Sequence, residues 1–242
     1  MIVGIDDIGM FKIFFDVVFE ECDTIELHCN ASGMELSLLD KSHTCFYSVK
    51  YDSSFFDLYD VDDVELVSLF IEDVVKILKT AGKNDYLTLS SDESRVIAKF
   101  EHNGNTRVFE LVQPADFNES PTPPDIGTSC SVLFSIDDLN QSLKDFDIFK
   151  SGSCHVCCAD NVLSFSSNDD ASMKYSNRIE CDTNGVGDAY YTVDYLKKLT
   201  RFKTVNKEIL FEFGDTLPLC WTVENQWVKV SGLIAPRINQ ED

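Results

Sequence analysis

Apolar residues recur at helical spacing in two stretches of the first half of the chain. Residues 8–20 place Met10, Phe11, Phe14, Val17 and Val18 on one face, and residues 71–83 do the same with Ile71, Val74, Val75 and Leu78, with Gly82 as a stop. Between and after them the pattern alternates with a period of two, which predicts strands. Such segments are 26–29, 34–38 (after a turn at Ala31-Ser32-Gly33), 44–51, 86–89, 95–100 and 107–112, with turns at 90–94 and 103–105. Residues 113–127 break the pattern. They hold four of the six prolines, which cannot donate to a sheet ladder and which stiffen an extended chain.

After that linker the order recurs. A strand at 130–134 leads to a helix at 136–150 carrying Ile136, Leu139, Leu143 and Phe146 on one face. Strands at 154–158, 162–166 and 172–176 precede a second helix at 193–202 with Leu196, Leu199 and Phe202. Strands at 208–213, 217–223 and 228–233 end the chain. Glu72-Asp73-Val-Val-Lys76-Ile-Leu78 also resembles Val193-Asp194-Tyr-Leu-Lys197-Lys-Leu199 at an offset of 121 positions, half of the 242 residues. Two copies of one α+β fold are therefore expected, over 1–112 and 128–242, joined by a connecting loop at 113–127.

The formal net charge of −22 first argues against a nucleic-acid binder, because phosphate binding draws on Lys and Arg. The distribution changes that picture. With the last one taken to 203, the four helical stretches hold ten of the 20 basic residues but only nine of the 42 acids: the bases are Lys12, Lys76, Lys79, Lys83, Lys144, Lys150, Lys197, Lys198, Arg201 and Lys203. Lys76, Lys79 and Lys83 share a face turned from the apolar stripe, and Lys197, Lys198 and Arg201 cluster on theirs. An acidic body with basic helix faces repels DNA from most of its surface while accepting phosphates on one. On a single helix, such lysines are more simply a solvated polar face; their recurrence in both halves weighs against that reading. No aromatic residues interleave with them, as a single-strand stacking site would require.

Other chemistry is sparse. Nine cysteines, an odd number, fit reduced thiols, and the start at Met1 lacks the pattern of a secretory signal. Only Cys154, Cys157 and Cys158 cluster. They lack a second ligand pair, and a strand there sends Cys154 and Cys157 to opposite faces, so no metal or cofactor is expected. No apolar run reaches the ~18 residues of a membrane span. An intracellular protein is expected, cytoplasmic in a prokaryote or nuclear in a eukaryote. Glycine-rich phosphate loops, His-Glu-x-x-His and Gly-x-Ser-x-Gly are absent from the sequence, so an enzyme is not expected. Acid pairs such as Asp6-Asp7, Asp62-Asp63, Asp137-Asp138 and Asp169-Asp170 read as turns and caps.

Three segments then carry a resemblance: Ser32-Gly-Met-Glu-Leu-Ser-Leu-Leu39-Asp40-Lys-Ser42-His43; Lys76-Ile-Leu-Lys79-Thr-Ala-Gly82 followed by Asn84-Asp85; and Leu217-Pro218-Leu219 with Leu233-Ile-Ala-Pro-Arg237-Ile238 before an acidic tail. In this order they resemble DNA polymerase sliding clamps of the PCNA type. The resemblance implies the DNA clamp fold, two similar domains each with two helices on antiparallel sheets, assembled as a trimeric ring. It also implies a processivity factor that encircles double-stranded DNA without sequence preference and tethers DNA polymerase, a clamp loader and other replication and repair proteins. Lys12, Lys76, Lys79, Lys83, Lys144, Lys150, Lys197, Lys198 and Arg201 would face DNA. Leu39, His43, Thr44, Ile126, Pro218, Leu233, Ala235 and Pro236 would receive a short helical peptide with apolar and aromatic anchors. Subunits would pair the strand around 107–112 with that around 171–177 of the next chain. Thr44 stands where the family usually has valine, and Leu233 where an aromatic is common. The alternative implied is a subunit of a hetero-oligomeric or checkpoint-type clamp that mainly recruits. A third reading, a monomeric DNA-binding accessory factor, would bind linear DNA tightly and salt-sensitively without a loader.

Overall fold

In a computed structural model the chain falls into two compact units. Residues 1–61, 63–92, 94–114, 121–149, 151–167 and 174–237 are described. The first unit comprises Met1–His43, Tyr47–Thr122 and Asn225–Val230; the second comprises Thr44–Phe46, Pro123–Glu224 and Ser231–Asp242.

The first unit runs β1 (Ile2–Ile5), α1 (Ile8–Val18), β2 (Thr24–Asn30), β3 (Gly33–Leu39), β4 (Cys45–Asp52) and β5 (Leu58–Asp60). It continues with β6 (Glu65–Phe70), α2 (Ile71–Leu78), β7 (Tyr86–Ser91), β8 (Arg95–His102) and β9 (Asn105–Val112). One antiparallel sheet has the order β5-β1-β7-β8-β9, and β6-β2-β3 lie side by side in another. Helix α1 starts because the Asp7 carboxylate accepts a hydrogen bond from Met10 N–H at 2.9 Å, satisfying an amide that the first turn leaves open. It buries Phe11, Phe14, Phe15, Val17 and Val18 and lies beside α2. The fully buried Tyr51 hydroxyl donates to Phe11 O at 3.0 Å, its ring 5.3 Å from that of Phe11.

The second unit runs β10 (Cys130–Ser135), α3 (Ile136–Phe149), β11 (Ser153–Ala159), β12 (Val162–Ser167) and β13 (Tyr175–Glu180). Then follow β14 (Thr183–Gly185), β15 (Gly187–Thr192), α4 (Val193–Leu199), β16 (Glu208–Phe213), β17 (Leu219–Glu224) and β18 (Val228–Ile234). Residues Val228–Val230 of β18 fall in the first unit, as do Tyr47–Asp52 of β4. The sheets are β13-β12-β11-β15 and β14-β10-β16-β17. Helices α3 and α4 are neighbours, and Trp221 stacks on Phe202 at 5.4 Å in the core beneath.

Each unit thus carries two helices and antiparallel sheets, the α+β class expected. Several boundaries move. Strands β1, β5, β6, β14 and β15 were not expected. Helix α2 ends at Leu78 rather than 83, because Ala81 N–H turns back to Leu78 O at 3.3 Å and tightens the exit ahead of Gly82. Helix α4 ends at Leu199 and continues as a 3₁₀ turn over Thr200–Thr204. The strand expected at 172–176 is β13, at 175–180: its register with β12 half-buries Tyr175, Asn177 and Ile179 and exposes the residues between. Strand β17 starts at Leu219 rather than 217, since Leu217 belongs to a turn closed on Gly214 O.

The β2–β3 hairpin rests on Gly33, whose φ of 142° lies where side chains rarely go. A Cβ there would stand 2.0 Å from Tyr51 O. Gly33→Ala is therefore expected to lower unfolding free energy by about 2 kcal/mol or more, read from urea titration of both proteins.

Candidate DNA-facing and partner-docking surfaces

The apolar stripe of α2 (Ile71, Val74, Val75, Ile77, Leu78) packs inward, which leaves Glu72, Asp73, Lys76 and Lys79 exposed. Lys76 Nζ lies 2.6 Å from Glu72 Oε1 and 3.7 Å from Asp73 Oδ1. The hydrogen bond to Glu72 pushes the lysine pKa up, so its charge is fixed but partly offset by its own helix. Lys79 reaches the other way, its Nζ 5.3 Å from the centroid of the Phe19 ring.

Lys12, Lys79 and Lys83 come together around one cavity of about 350 Å³, with Asp6, Asp7 and Asp85 on the same wall. Lys83 reaches it from the turn beyond α2, not from the helix expected. Lys12 is half-buried and paired with Asp16 at 2.7 Å. The Asp85 carboxylate accepts from Gly82 N–H at 2.8 Å and pairs with Arg107, so it holds the turn. The three lysines converge as a cluster, whereas Lys76 stands outside it. The sequence had placed Lys76 with Lys79 and Lys83 on one face.

In the second unit Lys144 is exposed on α3, and Lys197 and Lys198 are half-buried on α4. Lys198 Nζ lies 5.4 Å over the Tyr195 ring. Arg201 is exposed on the 3₁₀ turn, and Lys203, on the same turn, pairs with Asp137 at 2.5 Å. Lys150 lies outside the described residues.

Of the partner-binding positions, Leu39 and His43 line one cavity of about 310 Å³ with Cys22, Thr24, Ile25, Glu26, Ser37, Leu38 and Pro121. His43 adopts a φ of 57° in a loop tied by the Asp40 carboxylate to the Ser42 hydroxyl. The connecting loop is fastened to this sheet at two described points. Gln113 Oε1 accepts from Ser68 N–H at 3.1 Å, and Pro121 O accepts from the Ser37 hydroxyl at 3.3 Å. In the second unit, Ala235 N–H donates to Thr44 O at 2.8 Å, which brings those two positions together. Ile126, Pro218, Leu233 and Pro236 are half-buried there.

The sequence missed Cys22, Thr24, Glu26, Ser37 and Pro121 as cavity walls. Alternation along β2 puts Ile25, Leu27 and Cys29 on the core face, so Thr24, Glu26 and His28 read as solvent-facing; in the structure Thr24 and Glu26 share a cavity with Leu39, His43 and Pro121. The cysteine strand behaves as expected, with Cys154 and Cys158 buried and Cys157 half-buried on the other face. Among the described residues, no three His, Cys, Asp or Glu side chains gather as metal ligands, and no helix is long and apolar enough to cross a membrane.

The two-unit α+β fold is the DNA clamp fold, and comparison with known proteins agrees. Residues 4–113 match the family model of the proliferating cell nuclear antigen N-terminal domain. The chain is 26% identical to a DNA polymerase sliding clamp of Methanothermobacter thermautotrophicus, over 98% of both chains. It is 25% identical to DNA polymerase sliding clamp 3 of Sulfurisphaera tokodaii, over 90% of this chain and 92% of that one. Among solved structures, a PCNA2–PCNA3 complex from Sulfolobus tokodaii superposes with a TM-score of 0.88 at 20% identity, covering 98% of this chain and 99% of the other. PCNA from Thermococcus kodakaraensis gives 0.88 at 18% identity, with the same coverage. Each of these likenesses is to a sliding clamp of the PCNA type, over nearly the whole chain in the full-length comparisons.

The cavity wall yields a chemical expectation. Burial, reinforced by the neighbouring Asp23 carboxylate, pushes the Cys22 thiol up to about 12. Its Sγ also donates to Thr24 O at 3.2 Å. Cys22 is expected to react with iodoacetamide at pH 8 at least about tenfold more slowly than a free cysteine, measured by peptide mass mapping.

Proposed function

We propose that this chain is a subunit of a DNA sliding clamp, a non-catalytic ring that encircles duplex DNA and keeps DNA polymerase on its template. The observation that carries the proposal is the recurrence, in both units of a chain of net charge −22, of a helix pair with its basic side chains turned outward from the core. Lysines in this setting meet phosphates, which are the same at every base pair, so they hold the duplex without reading its sequence and leave the ring free to slide. In this reading Lys12, Lys76, Lys79, Lys83, Lys144, Lys150, Lys197, Lys198 and Arg201 face DNA. The acids elsewhere repel the duplex from the remaining surface.

Three copies close the ring. Strands β9 and β13 are each at the edge of their sheet, and Val108 and Val112 on β9 are 56% and 67% exposed. An exposed apolar edge strand invites a partner strand, and β13 of the next subunit fills that role. The loop-covered cavity at Leu39 and His43 takes a short peptide with apolar anchors from polymerase, clamp loader or repair proteins. Thr44, Ile126, Pro218, Leu233, Ala235 and Pro236 are assigned the same role by resemblance to the family.

Light scattering after gel filtration is expected to give about three times the 27.3 kDa chain mass, and Val108→Asp with Val112→Asp is expected to shift it to the monomer. A chain that stays monomeric until mixed with other subunits would instead favour the hetero-oligomeric clamp. Reversing Lys76, Lys79 and Lys197 to Glu is expected to leave assembly intact. Processive primer extension should fall at moderate salt, and each reversal should lower the salt dependence of DNA binding by about one unit of slope. Undiminished processivity would remove these lysines from the DNA-facing surface.

A further inference from the structure

The cavity beneath the connecting loop contains one group that an apolar anchor leaves unanswered. Glu26 is 4% exposed and forms part of the wall alongside Leu39, His43 and Pro121. Its Oε1 lies 2.6 Å from His28 Nε2, but among the described residues Oε2 is buried without a hydrogen-bond partner. Its cross-strand neighbour on β6 is Ser68, whose amide is already committed to Gln113. A buried carboxylate oxygen without a donor is costly to the free protein, and any ligand that supplies one recovers that cost on binding.

We propose that Glu26 is a specificity-determining residue of this docking pocket, and that it selects partner peptides carrying a lysine or arginine beside their apolar anchors. The inference rests on the reading of the cavity as a partner site and deepens it. Charge complementarity identifies the occupant. A neutral acceptor such as a carbonyl meets a second acceptor at Oε2, and an anion meets repulsion. A protonated amine or guanidinium supplies both the donor and the opposite charge, and its methylene stem suits the Ile25, Leu38 and Leu39 walls. His43 at the cavity wall is held by its loop and leaves Oε2 unpartnered. His28 Nε2 stands beside Oε1 without the alignment of a hydrogen bond, and it leaves Oε2 unanswered.

The test uses the intact protein and fluorescein-labelled short peptides bearing aliphatic and aromatic anchors. Lysine or its uncharged near-isostere norleucine is scanned through the positions flanking the anchors, and binding is read by fluorescence anisotropy. At one position the wild-type protein is expected to prefer lysine by about tenfold or more, the range of a charge-assisted hydrogen bond formed in a buried site. Glu26→Gln keeps the shape and a similar melting curve, and is expected to cut that preference to about twofold. Glu35→Gln removes the same charge from an exposed position of β3 and is expected to leave the preference intact. Equal affinity of the wild type for both series at every position would overturn the role of Glu26 while leaving the docking site standing. So would equal losses from Glu26→Gln and Glu35→Gln. Failure of every peptide to bind would overturn the docking site itself, and the proposal with it.

Discussion

The architecture follows from how amphipathic helices bury a single stripe. On α2 the residues Ile71, Val74, Val75, Ile77 and Leu78 all go inward, and removing such side chains from water contributes roughly 1.5–3 kcal/mol each. That leaves no freedom to the remaining positions. Glu72, Asp73 and Lys76 must face outward, and Lys79 must leave the helix at its exit. The same packing on α4 buries Val193, Leu196 and Leu199 and turns Lys197 and Lys198 away from the core. The basic surface is therefore a consequence of hydrophobic packing, written twice along the chain.

Electrostatics refine that surface. Lys76 is answered by Glu72 and Asp73, Lys12 by Asp16 and Lys203 by Asp137. These are exposed or half-exposed pairs, worth little to stability. Their effect is to lower the positive potential of each helix, so that under the proposed DNA-facing role a duplex would be held loosely. Weak, sequence-blind attraction suits a clamp that must move along DNA, and a tighter patch would hold it in place.

In the proposed docking role, the connecting loop joins fold to recognition. Its prolines stop it from continuing a sheet ladder. Gln113 and Pro121 fasten it through single hydrogen bonds to Ser68 and Ser37. The cavity it roofs is small, mostly apolar, and floored by one buried carboxylate.

Sequence alone determined the four helices, the clamp-type α+β class and the outward direction of the lysines on them, because periodicity and charge are local properties. It placed Asp7 among caps correctly, since a carboxylate just before an apolar stripe meets the open amides of the first turn. It missed β1, β6 and β15, whose short apolar runs acquire their identity only from the strands beside them. Tertiary structure decided that Lys79 and Lys83 meet Lys12 around one cavity while Lys76 does not, because the chain turns after Leu78 instead of continuing as helix. It also decided the fate of Glu26. Alternation marks it as a solvent-facing residue, whereas in the fold it is buried in a cavity wall shared with Leu39, His43 and the distant Pro121.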